Sequence, residues 1–128
     1  MVTREVLGEQ WIHPAIRQRV SAHFRGTVEE VKNATAEHRI VIVGMSGNPI
    51  VSKARKILHD QAIAYKYLEY GSYFSQWRRR NSLKMWTGWP TFPMIFVDGV
   101  LIGGYQDLES LIHSAELARQ LAAERTQE

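Results

Sequence analysis

The chain has 128 residues, a formal net charge of +3 and no cysteine. The absence of cysteine excludes disulfide bonds, thiolate metal ligands and thiol catalysis by this chain. The mild positive charge gives no reason to expect nucleic-acid binding. Its histidines share no metal-ligand spacing, so we predict no metal site. No apolar run approaches the ~20 residues of a membrane span, and no secretory signal is recognisable. We therefore expect a protein without membrane contact that lies in the cytoplasm.

Residues 1–26 are predicted to form an N-terminal extension with one helix. Pro14 suits the first helical position, and Ile16, Val20 and Phe24 recur every four residues on one face. Gly26 is predicted to end the helix. We expect its apolar face to pack on the domain, on a second copy of the chain, or on another protein.

Residues 27–118 are predicted to form one domain. Thr27 and Glu30 have the spacing of a capping box, which begins a helix that runs to Glu37. An apolar strand follows over residues 39–43, and Pro49 begins a helix whose inner face is expected to contain Val51, Ala54, Ile57 and Leu58. Residues 64–69 alternate like a second strand. Gly71-Ser72 is then predicted to cap a helix over residues 73–85, anchored by Tyr73, Phe74, Trp77 and Trp86.

The next segment is predicted to be a β-hairpin. Residues 94–97 and 100–102 are short apolar runs, and Asp98-Gly99 between them is a strong signal for a type I′ turn. Pro93 opens the first strand, at a place that suits a cis peptide bond. A last helix follows, with Asp107 near its start, and residues 119–128 are predicted to fray. This order of elements predicts an α/β protein with a four-stranded mixed sheet and helices on both faces.

The run Trp89-Pro90-Thr91-Phe92-Pro93, followed by a strand, Asp98-Gly99, a strand and Gly103-Gly104, resembles the glutaredoxin family. The likeness is greatest to monothiol glutaredoxins and covers residues 27–118. It implies the thioredoxin-like fold, a role in redox balance and glutathione-dependent disulfide chemistry. The family's chemistry belongs to a cysteine, which this chain lacks.

The resemblance places Asn48 at the position of the nucleophilic cysteine and Val51 at that of the second cysteine of dithiol members. Asn48 has no ionisation that would make it a nucleophile, and Asn before Pro is a good helix N-cap. We therefore predict no catalytic residue. Monothiol glutaredoxins bridge two subunits through an iron–sulfur cluster, but cluster ligation needs thiolates, so we expect no cluster here.

The rest of the family's glutathione site is better matched. By resemblance, Thr91, Phe92 and Pro93 would pair with the cysteinyl part of glutathione. Gly103, Gly104, Gln106 and Asp107 would receive the γ-glutamyl end. Asp107 is equally compatible with a first-turn acid that the helix dipole favours. The family's lysine before the cysteine is replaced, because Met45 and Ser46 stand there. Lys84 or Arg80 would then meet the glycine carboxylate, although such residues are more often solvated surface charges.

Three functional readings follow. The first is a glutaredoxin-like protein without thiol catalysis, which keeps a groove for glutathione or an extended peptide beside Pro93. The second is an interaction or scaffold protein without a small ligand, which uses the N-terminal helix. The third is a redox-homeostasis oxidoreductase, as the resemblance alone would imply.

Overall fold

The computed structural model describes residues 3–123 and 125. The helices are a 3₁₀ turn at Glu9–Trp11 and α1 (Pro14–Ala22), α2 (Arg25–Glu37), α3 (Pro49–Asp60), α4 (Trp77–Thr87), α5 (Tyr105–His113) and α6 (Glu116–Ala122). The strands are β1 (Ile40–Gly44), β2 (Lys66–Glu69), β3 (Met94–Val97) and β4 (Val100–Gly103). No helix within these residues is long and apolar enough to cross a membrane.

The four strands form one mixed sheet in the order β2-β1-β3-β4. Strand β1 pairs in parallel with β2 and antiparallel with β3, and β3 pairs antiparallel with β4. Asp98 and Gly99 both have positive φ, as the predicted two-residue turn requires. The predicted sheet is confirmed, and both central strands are buried along their whole length.

Two apolar layers cover the two faces of the sheet. On one face α2 and α4 contribute Val31, Ala34 and Leu83. On the other, α3, α5 and α6 contribute Ala54, Leu58, Leu108 and Leu117. Alternation along β1 explains the division, because Val41 and Val43 belong to the first layer while Ile40 and Ile42 belong to the second. Helix α1 buries no side chain.

The start of α2 differs from the prediction. Gly26 and Thr27 lie inside the helix, which follows Phe24 in a left-handed conformation. The predicted capping box is therefore wrong. Buried Thr27 instead accepts a hydrogen bond from Arg79 Nε at 2.9 Å, so tertiary packing, not local capping, determines its position. The predicted boundary between residues 26 and 27 falls within this helix.

The start of α4 also differs from the prediction. Residues 73–76 form turns, and the helix begins at Trp77. Tyr73, Phe74 and Trp77 do not anchor it, because all three are exposed. Of the four predicted anchors, Trp86 packs inward, stacked on Phe96 with ring centroids 6.2 Å apart.

The chain bends sharply between the last two helices. Ala115 has a φ of 62°, which ends α5 and starts α6 in a new direction. Residues 119–122, predicted to fray, are helical here. The predicted boundary between residues 118 and 119 therefore falls within α6. Residues 124 and 126–128 of the predicted tail lie outside the described residues.

Candidate functional site

Asn48 follows β1 in the sequence and is the N-cap residue of α3. Its Oδ1 accepts hydrogen bonds from the amides of Ile50 at 2.9 Å and Val51 at 3.1 Å. These donors belong to the first turn of the helix, where the helix dipole and unpaired N–H groups favour negative charge. In this protein a neutral carboxamide oxygen takes both bonds, as the N-cap prediction expected. Val51 is 2% exposed and packs in the core, so it is a packing residue at the second-cysteine position.

The loop before Asn48 is tied to the loop that follows β2. The Ser46 amide donates to the Gly71 carbonyl at 2.7 Å, and the Ser46 hydroxyl donates to the same oxygen at 3.2 Å. The adjoining Met45 is buried. The two loops therefore form one continuous surface at the carboxyl end of the parallel strands.

The Phe92–Pro93 peptide bond is cis, in agreement with the sequence prediction. Both residues are buried, whereas Thr91 is exposed. The Phe92 amide donates to no acceptor within the described residues. Backbone groups left unpaired beside a strand are those with which an added extended chain pairs when it binds a sheet.

The amino end of α5 lies against this loop. A Cβ built on Gly104 would stand 3.6 Å from the Pro93 carbonyl oxygen and 3.8 Å from the Trp89 ring. The Asp107 carboxylate accepts the Gly104 amide at 2.9 Å. Gly103 has a φ of 116°, and a side chain there would collide with the Asp107 carboxylate. The Asp107 carboxylate therefore packs against Gly103, where a side chain would not fit, and is hydrogen-bonded to Gly104.

The first turn of α5 carries further free donors. The amides of Tyr105, Gln106 and Asp107 have no acceptor in the described part of the chain. The Tyr105 hydroxyl donates to Glu109 at 2.9 Å, and this hydrogen bond raises the pKa of Tyr105. Gln106 is exposed and accessible to a ligand. Unpaired amides at a helix N-terminus are hydrogen-bond donors of the kind that bind anions in proteins.

Of the two predicted cations, the structure places Lys84 beside the groove. Its Nζ lies 5.8 Å from the centroid of the Phe92 ring. Arg80 is 8% exposed, and its Nη1 donates to the carbonyls of Tyr70, at 2.8 Å, and Ser75. The proposal that Arg80 meets a ligand carboxylate is therefore wrong, because the guanidinium is buried among backbone acceptors.

One residue of the site escaped the sequence analysis. Trp89 was named only as part of the run that resembles the family and was not predicted to contact the site, but its ring also lines Gly104. Its Nε1 is buried and has no hydrogen-bond partner among residues 3–123 and 125. No sequence pattern predicts the contact between Trp89 and Gly104, because it depends on how the start of α5 packs against the Pro93 loop.

The groups that this site offers are backbone amides, the Asp107 carboxylate and the nearby Lys84 ammonium. The chain supplies no cysteine thiolate, and the described residues hold no cluster of three or more His, Asp or Glu side chains. The protein's own residues do not fit an iron–sulfur cluster, which is held in proteins by thiolates. A separate, open cleft lined by His38, Ala62 and Tyr65 lies away from this site.

Comparisons with known proteins agree with this architecture. The family model described as Glutaredoxin matches residues 40–102. A glutaredoxin-like protein of Dictyostelium discoideum is 45% identical over 102 residues, which are 80% of this chain and 83% of that protein. This chain belongs to the glutaredoxin family.

Two further comparisons define what is shared. The mitochondrial glutaredoxin-2 of Rattus norvegicus is 34% identical over 95 residues, which cover 70% of this chain and 57% of that protein. The chain thus spans little more than half of that relative's length. The crystal structure of a buckwheat glutaredoxin–glutathione complex superposes with a TM-score of 0.70 at 18% identity. It covers 79% of this chain and 92% of the buckwheat chain. This similarity confirms the thioredoxin-like fold.

Proposed function

We propose that this protein is a glutaredoxin-family member without thiol catalysis, which binds glutathione non-covalently in the groove between the Pro93 loop and α5. The observation that carries the proposal is the Phe92 amide, unpaired beside the cis-proline. Groups suited to the two ends of a tripeptide thiol flank it. Because Asn48 replaces the nucleophile, binding leads to no bond exchange with the protein.

The two ends of glutathione differ in charge, and the groove offers different partners for them. The γ-glutamyl carboxylate would lie on the free amides at the first turn of α5, where helix N-termini favour anions. The adjacent Asp107 carboxylate suits the α-amino group. At the opposite end, the Lys84 ammonium beside Phe92 suits the glycine carboxylate. Thr91 and Phe92 would pair with the central cysteinyl residue as a strand edge does.

A titration with reduced glutathione, followed by amide NMR shifts, tests this function. We expect saturable shifts at Phe92, Gly104, Gln106 and Asp107, and the same shifts with S-methylglutathione, because no thiol reaction is involved. Lys84→Ala should weaken binding about threefold to tenfold, by loss of one partly solvated charge pair. Lys66→Ala, which removes an exposed lysine on β2, is the matched control and should change nothing. Absence of shifts at millimolar glutathione would refute the proposal.

A second candidate is an interaction scaffold that uses α1. Ile16 and Val20 share one face of α1 and are 36% and 44% exposed, whereas Phe24 is 38% exposed but lies beyond the end of α1 in a left-handed conformation. The prediction that Phe24 continues the helix face of Ile16 and Val20 is therefore wrong. An apolar stripe left this open is typical of a surface that contacts another protein. Light scattering should then detect an assembly that Ile16→Asp with Phe24→Asp dissolves. A monomer at all concentrations, with no change on substitution, would argue against self-association.

A further inference from the structure

A second surface lies on the loop between β2 and α4 and on the first turn of α4. Tyr73 is 61% exposed, Phe74 97% and Trp77 58%. We call this surface, with the adjacent Arg78, the aromatic platform. Large aromatic side chains normally provide much of the buried area of a fold, so three of them displayed together on one short segment need an explanation.

The platform stands on a loop fixed by hydrogen bonds. The Ser72 amide donates to the Ser75 hydroxyl at 3.0 Å, and the Phe74 amide donates to the Ser72 hydroxyl at 3.2 Å. The buried Arg80 guanidinium binds the carbonyls of Tyr70 and Ser75, which stand at either end of the loop. A buried arginine used in this way determines where the aromatic side chains are displayed.

The charge around the platform is one-sided. Residues 70–97 include Arg78, Arg79, Arg80 and Lys84 but no Asp or Glu. Arg79 contacts Glu30 at 3.7 Å, and Arg80 is bound to the backbone. Arg78 and Lys84 have no acidic partner within the described residues, and Arg78 lies 5.2 Å from the Trp77 ring centroid. The platform therefore combines apolar rings with uncompensated positive charge.

The platform is continuous with the groove. Trp77 and Lys84 are seven residues apart on α4, which places them on nearly the same helix face about 10 Å apart. Lys84 lies next to Phe92 of the groove. On the other side, Gly71 at the base of the loop is bonded to Ser46, two residues before Asn48. Helix α4 therefore connects the platform at Trp77 with the groove at Lys84 and Phe92.

We propose that the aromatic platform docks an extended, acidic segment of a partner protein, with an apolar or aromatic side chain on Phe74 and Trp77. Charge complementarity selects this occupant, because carboxylates would meet Arg78 and Lys84. A second copy of the chain fits less well, since an isologous contact would bring like charges together. The inference goes beyond glutathione binding: the two sites share Lys84, but Phe74, Trp77 and Arg78 belong to the aromatic platform alone.

Selection from a random dodecapeptide display library, followed by fluorescence anisotropy of the enriched peptides, tests the proposal. The expected peptides carry net negative charge and at least one large apolar residue. Their affinity should fall at least tenfold with the double change Phe74→Ser and Trp77→Ser. It should fall about fivefold with Arg78→Glu, and also on raising NaCl from about 50 to about 500 mM. All three side chains are exposed, so these variants should fold normally.

Two controls decide the outcome. Trp11→Ser removes a tryptophan that is 74% exposed on the N-terminal segment and should leave peptide affinity unchanged. Glutathione binding should also survive the double change on the platform, so the two proposals can fail separately. No enrichment, neutral or basic peptides, equal loss with Trp11→Ser, or tighter binding to single-stranded oligothymidine would each overturn the proposal.

Discussion

The two ends of the sheet use their polar groups in opposite ways. At the carboxyl end of β1, the amides of Phe92, Tyr105, Gln106 and Asp107 are unpaired within the described residues. At the amino end, Arg39 binds both carboxylate oxygens of Asp98, each at 2.9 Å. It also donates to three carbonyls at the end of α6, those of Gln120, Leu121 and Ala123. One end is closed by its own bonds, and the other leaves donors for a ligand.

The contrast teaches which part of the fold is available for function. Unpaired groups at one end lower stability slightly but allow recognition. The network at the other end fixes both the hairpin turn and the last helix. The following changes test whether the two ends can be altered separately.

The largest effect should come from Asn48→Cys. At the N-cap of α3, a cysteine thiolate would accept hydrogen bonds from the amides of Ile50 and Val51. Because these bonds stabilise the charged form, the thiol pKa should fall from about 8.5 to about 7 or below. At pH 7 this raises the thiolate fraction roughly fifteenfold, and thiol titration measures it. Ser21→Cys, on the exposed end of α1, is the matched control with an ordinary thiol. Equal pKa values for the two thiols would contradict the role given to the α3 terminus.

Gly103→Ala should distort the end of the groove that is formed by the start of α5. The positive φ and the collision with Asp107 should lower the free energy of unfolding by about 1–3 kcal/mol. The collision should also displace the Asp107 carboxylate, so that it no longer accepts the hydrogen bond from the Gly104 amide. Gly26→Ala, inside α2 where a side chain meets nothing within 4 Å, should instead stabilise by about 0.5–1 kcal/mol. Chemical denaturation compares them, and equal effects would show that Gly103 has no special role.

Asp98→Asn tests the closed end and should cost about 1–2 kcal/mol at pH 7. The Arg39 hydrogen bond holds the pKa of Asp98 below its usual value. The stabilisation is therefore present above the unfolded pKa of about 3.9 and lost as pH falls through the lower folded value. The melting difference between wild type and variant should shrink below about pH 4. Asp60→Asn, at the exposed Lys56 pair, should have little effect, and a pH-independent difference at Asp98 would contradict this account.

The smallest effect should separate capping from charge at Asn48. Asn48→Ala removes the cap and should cost about 1 kcal/mol. Asn48→Asp keeps an acceptor oxygen and adds a charge that the helix dipole favours, so stability should stay within about 0.5 kcal/mol of wild type. Thermal unfolding measures both. A larger loss with Asp than with Ala would show that the carboxamide nitrogen, not its oxygen, matters.

The hydrophobic core and the sheet could be predicted from the sequence because short local patterns determine them. Apolar runs, Pro49 after Asn48, and Asp98-Gly99 each determine their own surroundings. The start of α4 was not accessible, because periodicity alone treated Tyr73, Phe74 and Trp77 as anchors, whereas hydrogen bonds from Arg80 hold the preceding loop outside the helix. The same long-range bonds removed Arg80 from the candidate site. The spacing of residues in the sequence does not show which distant residue a side chain will contact in the folded protein.

The Arg39 network also has a consequence for the order in which the protein acquires its structure. Arg39 precedes the central strand, yet its carbonyl acceptors lie 81 to 84 residues further along the chain. At synthesis rates of about 5–20 residues per second, a nascent chain holds β1 for roughly 4–16 seconds before these acceptors exist. During that time the amino end of the sheet lacks its closing bonds, and the hairpin turn at Asp98 is made before α6 can cover it. Helix α6 is therefore the element whose synthesis allows the amino end of the sheet to close.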